Sequence, residues 1–255
     1  MTALFGQEGA TWRQKIRTLA GKLADVFFPP VCASCRSVGE LLCSQCRQKI
    51  NWVIEPVCSR CGRPQSEYID QCSSCSQDPL PLQQVRTATF YDGPVAEVVK
   101  QFKYEGYFGL ASPLAELMLA AWPRWKQPVD LVIPIPLHAA RQRERGYNQS
   151  ELLARVLKSH LDWQVEPAGL KRVRRTRPQV GLNMAERRTN VSGAFIAEAA
   201  LVQGKKILLI DDVHTTGATL VAAAEVLLDA GAKSVSAYCL AGAASDASPG
   251  KALNL

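Results

Sequence analysis

The sequence predicts an α/β protein, a parallel sheet flanked by helices and preceded by a cysteine-rich segment. Three observations predict it. From Val85 to Gly242, short apolar runs alternate with segments of helical period, the signature of parallel strands joined by crossover helices. One of those runs, in "KKILLIDDVHTTGATL", ends in two adjacent carboxylates followed by a Thr/Gly cluster. Before Val85, four C-x-x-C pairs replace apolar periodicity between Cys32 and Cys75.

The elements follow in order. Trp12, Ile16, Leu19, Leu23 and Val26 recur at helical spacing with Arg13, Lys15, Arg17 and Lys22 between them. Residues 1–30 therefore read as an amphipathic helix, with Thr11 at its N-cap and Pro29-Pro30 as its stop, packed on the rest of the chain. Residues 31–77 form the cysteine-rich unit, and "DPLPLQQ", residues 78–84, reads as a linker.

Residues 85–243 make the α/β domain. "VRTATFYD" alternates like a strand, "PVAEVVKQFKY" and "SPLAELMLAAW" have helical period, and "DLVIPIP" is a buried strand ended by prolines. "QSELLARVLKSHL" is a helix, "KKILLI" a strand ending at Ile210, "ATLVAAAEVLLDAGA" a helix closed by Gly231, and "SVSAYCLAG" a last strand that buries Cys239. Residues 244–255 read as a flexible tail.

The 255 residues are 47% hydrophobic, enough for a sizeable core. No run approaches the roughly 18 apolar residues of a membrane span, and no secretory h-region opens the chain, so a cytoplasmic protein is expected. Cytosolic thiols stay reduced, and paired cysteines there point to metal. The net charge is +7, and residues 141–188, with twelve Lys/Arg and five Asp/Glu, carry an equal excess. Basicity so concentrated points to an anionic ligand.

Cys32/Cys35, Cys43/Cys46, Cys58/Cys61 and Cys72/Cys75 are four knuckles, each able to supply two thiolates from one tight turn. Two knuckles complete a tetrahedral site, so two structural Zn2+ ions are expected, whose binding energy becomes folding energy for a segment without a conventional core. Consecutive pairing and an interleaved cross-brace use the same residues. An iron–sulfur cluster or a redox C-x-x-C is the rival, but four regular pairs favour zinc.

Open parallel sheets bind ligands beyond the carboxyl ends of their strands, where Asp211 and Asp212 fall. Two carboxylates there accept hydrogen bonds from a ribose diol. Thr215, Thr216 and Thr219 offer hydroxyls, Gly217 admits close backbone approach, and the helix from Ala218 aims its N-terminal N–H groups at a phosphate. The arrangement describes a ribose 5-phosphate. A plain strand-to-helix turn with Thr caps leaves the paired acids unexplained.

This run resembles the phosphoribosyl pyrophosphate (PRPP) motif of type I phosphoribosyltransferases: four apolar residues, two acids, two intervening residues, then T-T-G-x-T, with Ala218 at the variable place. His214 stands where an apolar residue is usual and is given no role. "PIPLHAARQRERGYNQSELLA", "RTRPQVGLNMAERRTNVSGAF" and "FKYEGYFGLASPLAELM", together with the cysteine array, resemble the ComF/GntX family. That resemblance runs from about Phe28 to Gly242 and implies a double zinc ribbon joined to a phosphoribosyltransferase-like domain, serving uptake or use of extracellular DNA.

By the same resemblance Asp211 and Asp212 are the candidate catalytic pair, holding the diol and aligning Mg2+ with PRPP. Arg141, Arg143 and Arg145 take the position of the pyrophosphate loop, and forked guanidinium groups suit that anion. "KRVRRTRPQ" looks like the lid, with Arg174, Arg175 and Arg177 on it. The alternative is a non-catalytic single-stranded-DNA adaptor, since five cations in nine residues also suit a nucleic-acid backbone. Tyr104, Tyr107, Phe108 and Tyr147 lie near the basic segments and are read as core, with base stacking as the other role. The fold often dimerises, so a homodimer is an open expectation.

Overall fold

The computed structural model describes residues 29–122, 128–176 and 184–243. The expected N-terminal helix, the 244–255 tail and Arg177 lie outside the described residues.

Four parallel strands form the sheet: β1 (Val85–Phe90), β2 (Leu131–Pro134), β5 (Lys206–His214) and β6 (Ser234–Gly242), in the order β1-β6-β5-β2. A separate antiparallel pair joins β3 (Leu170–Arg172) to β4 (Phe195–Ala197), which the sequence reading did not anticipate. Three residues each is too short for a period-2 pattern to show.

The central strand β5 is apolar without alternation because both of its faces are covered. Leu208 and Ile210 lie in one buried cluster with α3 (Gly93–Tyr104), α4 (Ala111–Ala121) and α6 (Gln149–Lys158). Ile207 and Leu209 lie in the other, with α9 (Ala218–Asp229) and the β3–β4 pair. Cys239 is fully buried in the second cluster.

Between these elements run five short helices: α1 (Ser44–Gln48), α2 (Ser73–Gln77), α5 (Ala139–Arg145), α7 (Met184–Val191) and α8 (Ala199–Val202). Strand β5 continues beyond the expected end at Ile210. On the β6 side its pairing runs on to Val213 and His214, while on the β2 side it stops with Pro134 against Ile210 and a last bond from Ile135 N–H to Ile210 C=O. Pro134 and Pro136 lack the N–H that would extend that ladder. Asp211 and Asp212 therefore sit on a strand still paired on one side and free of β2 on the other.

The cysteine-rich segment is built twice on one plan. Cys32 and Cys58 each begin a knuckle whose tip turns through a positive φ, at Arg36 (66°) and Gly62 (72°), closed by an antiparallel bridge, Val31 to Val38 and Val57 to Pro64. Cys43 and Cys72 then stand just before α1 and α2. The two units are not held apart from the domain. Cys32, Cys46, Ile50 and Trp52 share a buried cluster with Phe102, Leu114 and Met118, and the backbone of Val53 donates to Ala88 of β1. The linker is equally tied: Gln83 N–H donates to Val235, Gln84 C=O accepts from Ala237, and Leu82 is buried.

Candidate functional site

The two acids are held by helices on one face of the sheet. Ser150, in the first turn of α6, donates its hydroxyl to Asp211 Oδ1 at 2.8 Å. Lys103, near the end of α3, places Nζ 2.9 Å from Asp212 Oδ1. Burial, then the neighbouring Asp212 charge, push the Asp211 carboxyl up to about 7, against the opposing pull of Lys103. Two adjacent carboxylates in a buried site cannot both ionise freely, and a bound cation would relieve them.

The loop that follows has the form expected of an anion cradle. Gly217 precedes α9 with φ +79, a left-handed conformation that suits glycine, and a Cβ there would lie 3.1 Å from the His214 ring. Thr216 Oγ1 is buried and has no hydrogen-bond partner. His214 is held below its usual pKa chiefly by burial.

The three candidate pyrophosphate arginines lie on a short helix, not on an open loop. His138 caps α5 by accepting from Ala140 N–H, and Gly146 closes it at φ +84. One turn separates Arg141 and Arg145, which are half-buried on one face, while Arg143 is exposed on another. Arg145 feels the Asp212 charge and lies 5.3 Å over the Tyr104 ring.

On the candidate lid, Arg174 donates to the carbonyls of Asn190 and Ser192 at the end of α7, and Arg175 pairs with Glu144 of α5 at 3.1 Å. Arg172 was missed. Its guanidinium is 5.2 Å from the Phe195 ring centre, donates to Thr176 Oγ1, feels Asp211, and keeps Nε buried without a partner. The signal was its place in "KRVRR": in β3, Leu170 and Arg172 turn inward and Lys171 outward.

The aromatic expectation needs correction. Tyr104 is 75% exposed and Phe108 69%, and Tyr107 is exposed too, while only Tyr147 is half-buried, its hydroxyl donating to Phe102 C=O. Tyr104 is the last residue of α3, and Tyr107 and Phe108 follow in the turn after it, where no helix covers them.

The cysteines form two sets, Cys32/Cys35/Cys43/Cys46 and Cys58/Cys61/Cys72/Cys75, each with its sulfurs within 4.8 Å of one another. The pairing is consecutive, not a cross-brace. Sulfur separations of 3.5 Å (Cys35–Cys43), 3.7 Å (Cys61–Cys72) and 4.0 Å (Cys58–Cys75) fit a tetrahedron with Zn–S bonds of about 2.3 Å, whose edge is roughly 3.8 Å. Burial drives Cys46 up to about 12 and Cys61 up to about 11. At Cys58 backbone N–H groups outweigh burial and bring the thiol down to about 7. Cys35, exposed and bonded to Ser37, falls to about 6. A bound zinc ion would ionise all four thiols of each set.

With this geometry in view, comparison with known proteins decides the family. The double zinc ribbon domain model matches residues 23–76, and the phosphoribosyl transferase domain model matches residues 145–253. DNA utilization protein YhgH of Escherichia coli O157:H7 is 34% identical over 221 residues, covering 83% of this chain and 96% of that protein. The chain belongs to the ComF/GntX family. Competence protein F of Haemophilus influenzae is 31% identical over 84% of this chain and 98% of its own length. Competence protein ComFC of Bacillus subtilis is 31% identical over 79% and 84%. As a ComF/GntX member the chain combines two structural four-cysteine zinc sites with a phosphoribosyltransferase domain, and no described helix is long and apolar enough to cross a membrane.

Proposed function

We propose that this ComF-like protein binds PRPP with Mg2+ at the end of β5 and serves the uptake or use of DNA on the cytoplasmic side. The observation that carries the reading is the run from Asp211 to Thr219: two clustered carboxylates, then a left-handed glycine and a buried, unpartnered Thr216 hydroxyl at a helix N-terminus. A hard cation prefers carboxylate oxygens, so the donor set fits Mg2+. When bound, that ion would screen the pyrophosphate charge. Asp211 and Asp212 hold the ribose diol, Thr215 to Thr219 receive the 5-phosphate, and Arg141 and Arg145, with Arg172, face the remaining negative charge. Arg143 is exposed and contributes least.

The test is a calorimetric titration of the zinc-replete chain with Mg2+ and PRPP, beside the Asp211→Asn/Asp212→Asn variant. Binding by the wild type, with a loss of about tenfold or more in the variant, is expected. Absence of binding, or equal binding by both, refutes the site. Release of pyrophosphate during incubation would add phosphoribosyl transfer to binding.

A second reading, a single-stranded-DNA adaptor, is favoured by the exposed Tyr104, Tyr107 and Phe108, with Arg145 lying over the Tyr104 ring. Aromatic faces next to cations stack bases without regard to sequence. Under that reading strand affinity falls steeply with salt and is lost in Tyr104→Ala/Phe108→Ala, whether or not PRPP is present.

A further inference from the structure

At the opposite end of the sheet from the two acids lies a cleft of about 390 Å3, room for about thirteen waters at a liquid share of roughly 30 Å3 each. Lys206 and Ser234, the paired first residues of β5 and β6, line it, so it stands at the amino ends of these strands. Lys206 and His214 are the two ends of β5, roughly 26 Å apart at the strand rise, which sets the cleft well away from the Asp211 to Thr219 run. Arg60 of the second knuckle and Lys233 complete its charged lining, with Gln83 as a polar neighbour and Pro81 and Leu228 as apolar walls.

We propose that this cleft is a separate anion site, taking a compact polyphosphate, that is, two or more linked phosphate groups held between Arg60, Lys206 and Lys233. Three cations from three parts of the chain line it and no carboxylate does. Among the described residues none of the three is paired with a carboxylate. Cations of one sign beside apolar walls focus the field and draw in a multiply charged anion, with lysines acting as point charges and the guanidinium as a fork.

The acids nearby do not cancel that charge. Asp130 Oδ2 accepts from Lys206 N–H at 2.8 Å, and Asp229 follows Leu228 at the exposed end of α9. With both counted, the three cations still leave a positive excess, and exposed Lys205 adds to it. Once zinc-loaded, the second cysteine set carries two negative charges, four thiolates on one Zn2+. Arg63 and Arg86 stand beside that set with two positive ones, Arg63 donating to Ser74 Oγ and Arg86 to the Cys58 carbonyl, so Arg60 is left to the cleft.

The cations are carried on fixed backbone. Arg60 C=O accepts from Val85 N–H, its guanidinium donates to Leu80 C=O at 2.9 Å, and a Cβ on neighbouring Gly62 would lie 2.5 Å from Val85 O. Gln83 N–H donates to Val235 C=O, and Lys233 N–H donates to Lys205 C=O. The second zinc ribbon thus contributes a residue to a binding site as well as stapling the fold.

The inference does not depend on the PRPP reading. The zinc-replete full chain is titrated calorimetrically with tripolyphosphate at about 0.15 M salt, where loose surface pairing is screened. Arg141→Ala/Arg145→Ala controls for polyanion held at the other end of the sheet. The expected result is a binding event that survives in that variant and weakens by about tenfold or more in Lys206→Ala/Lys233→Ala. Two zinc ions per chain and an unchanged thermal midpoint verify that the lysine variant has folded, and Lys233→Gln alone, at an exposed position, should show a smaller loss in the same direction. Absence of binding at millimolar tripolyphosphate overturns the proposal, as does undiminished binding by both lysine variants or loss in the arginine variant alone. A single-stranded oligonucleotide that binds through the same lysines more tightly than tripolyphosphate also overturns it, since the occupant would then be a strand. PRPP binding is measured alongside: tripolyphosphate binding without PRPP binding would sink the earlier reading and leave this one standing.

Discussion

Lys103 Nζ lies 2.9 Å from Asp212 Oδ1, with the aspartate side chain 8% exposed and the lysine 22%. The pair ties the last turn of α3 to the central strand at the candidate site. Removing the lysine leaves a buried carboxylate uncompensated, so Lys103→Met should cost roughly 3 kcal/mol. Adding Asp212→Asn should recover most of that loss. Urea denaturation of both variants measures it, and a cost below about 1 kcal/mol would mean that solvent already screens the pair.

Asp211 makes stability depend on pH. Its carboxyl is raised to about 7 in the folded protein, and it returns to about 4 when unfolded. Between these values the folded state keeps a proton that the unfolded chain has lost, so its contribution to stability falls as pH rises through that window. Asp211→Asn should flatten the decline and melt higher than wild type at about pH 8. Thermal melts across the window would contradict this if the two proteins ran parallel.

Loss of the two metal sites should not be equivalent. Cys32 and Cys46 share a buried cluster with Phe102 and Leu114, whereas Cys58, Cys72 and Cys75 form a small cluster of their own. Cys46→Ser should therefore lower the midpoint of the whole chain and disturb the environment of buried Trp52. Cys75→Ser should lose one zinc with a smaller effect on the main transition. Elemental analysis, tryptophan emission and melting read the two outcomes separately.

Gly62 and Gly106 share a φ of +72, but only Gly62 has a neighbour, Val85 O, at 2.5 Å from an added Cβ. Gly106→Ala should cost about 1 kcal/mol, the penalty of a left-handed alanine. Gly62→Ala should cost clearly more, because the knuckle must also move off β1. Equal costs by denaturant titration would show that the knuckle yields freely.

Much of the site was legible because its chemistry is local. "DDVHTTGAT" and the four C-x-x-C pairs place their groups within one turn or one strand end, so residue order alone reports them. Lys103, Ser150 and Arg172 were not legible in the same way. Lys103 and Ser150 reach the acids from α3 and α6, Arg172 feels Asp211 from β3, and nothing near them in sequence marks an inward-facing cation or hydroxyl. The aromatics misled for a related reason: Tyr104, Tyr107 and Phe108 look like core by composition, yet they fall at and beyond the end of α3, where the chain turns and leaves them exposed.

By itself the sequence determined the α/β class, the order of the four sheet strands and the longer helices, the eight paired cysteines and the candidate phosphate loop, all of which follow from periodicity and short-range spacing. Only the tertiary structure decided that the cysteine sets are consecutive, that the first ribbon is packed into the main core, and that the second is seated beside the loop after β5, so that Arg63 and Thr215 line one cavity. Those outcomes depend on which distant surfaces bury one another, and burial between residues far apart in the chain leaves no local pattern to read.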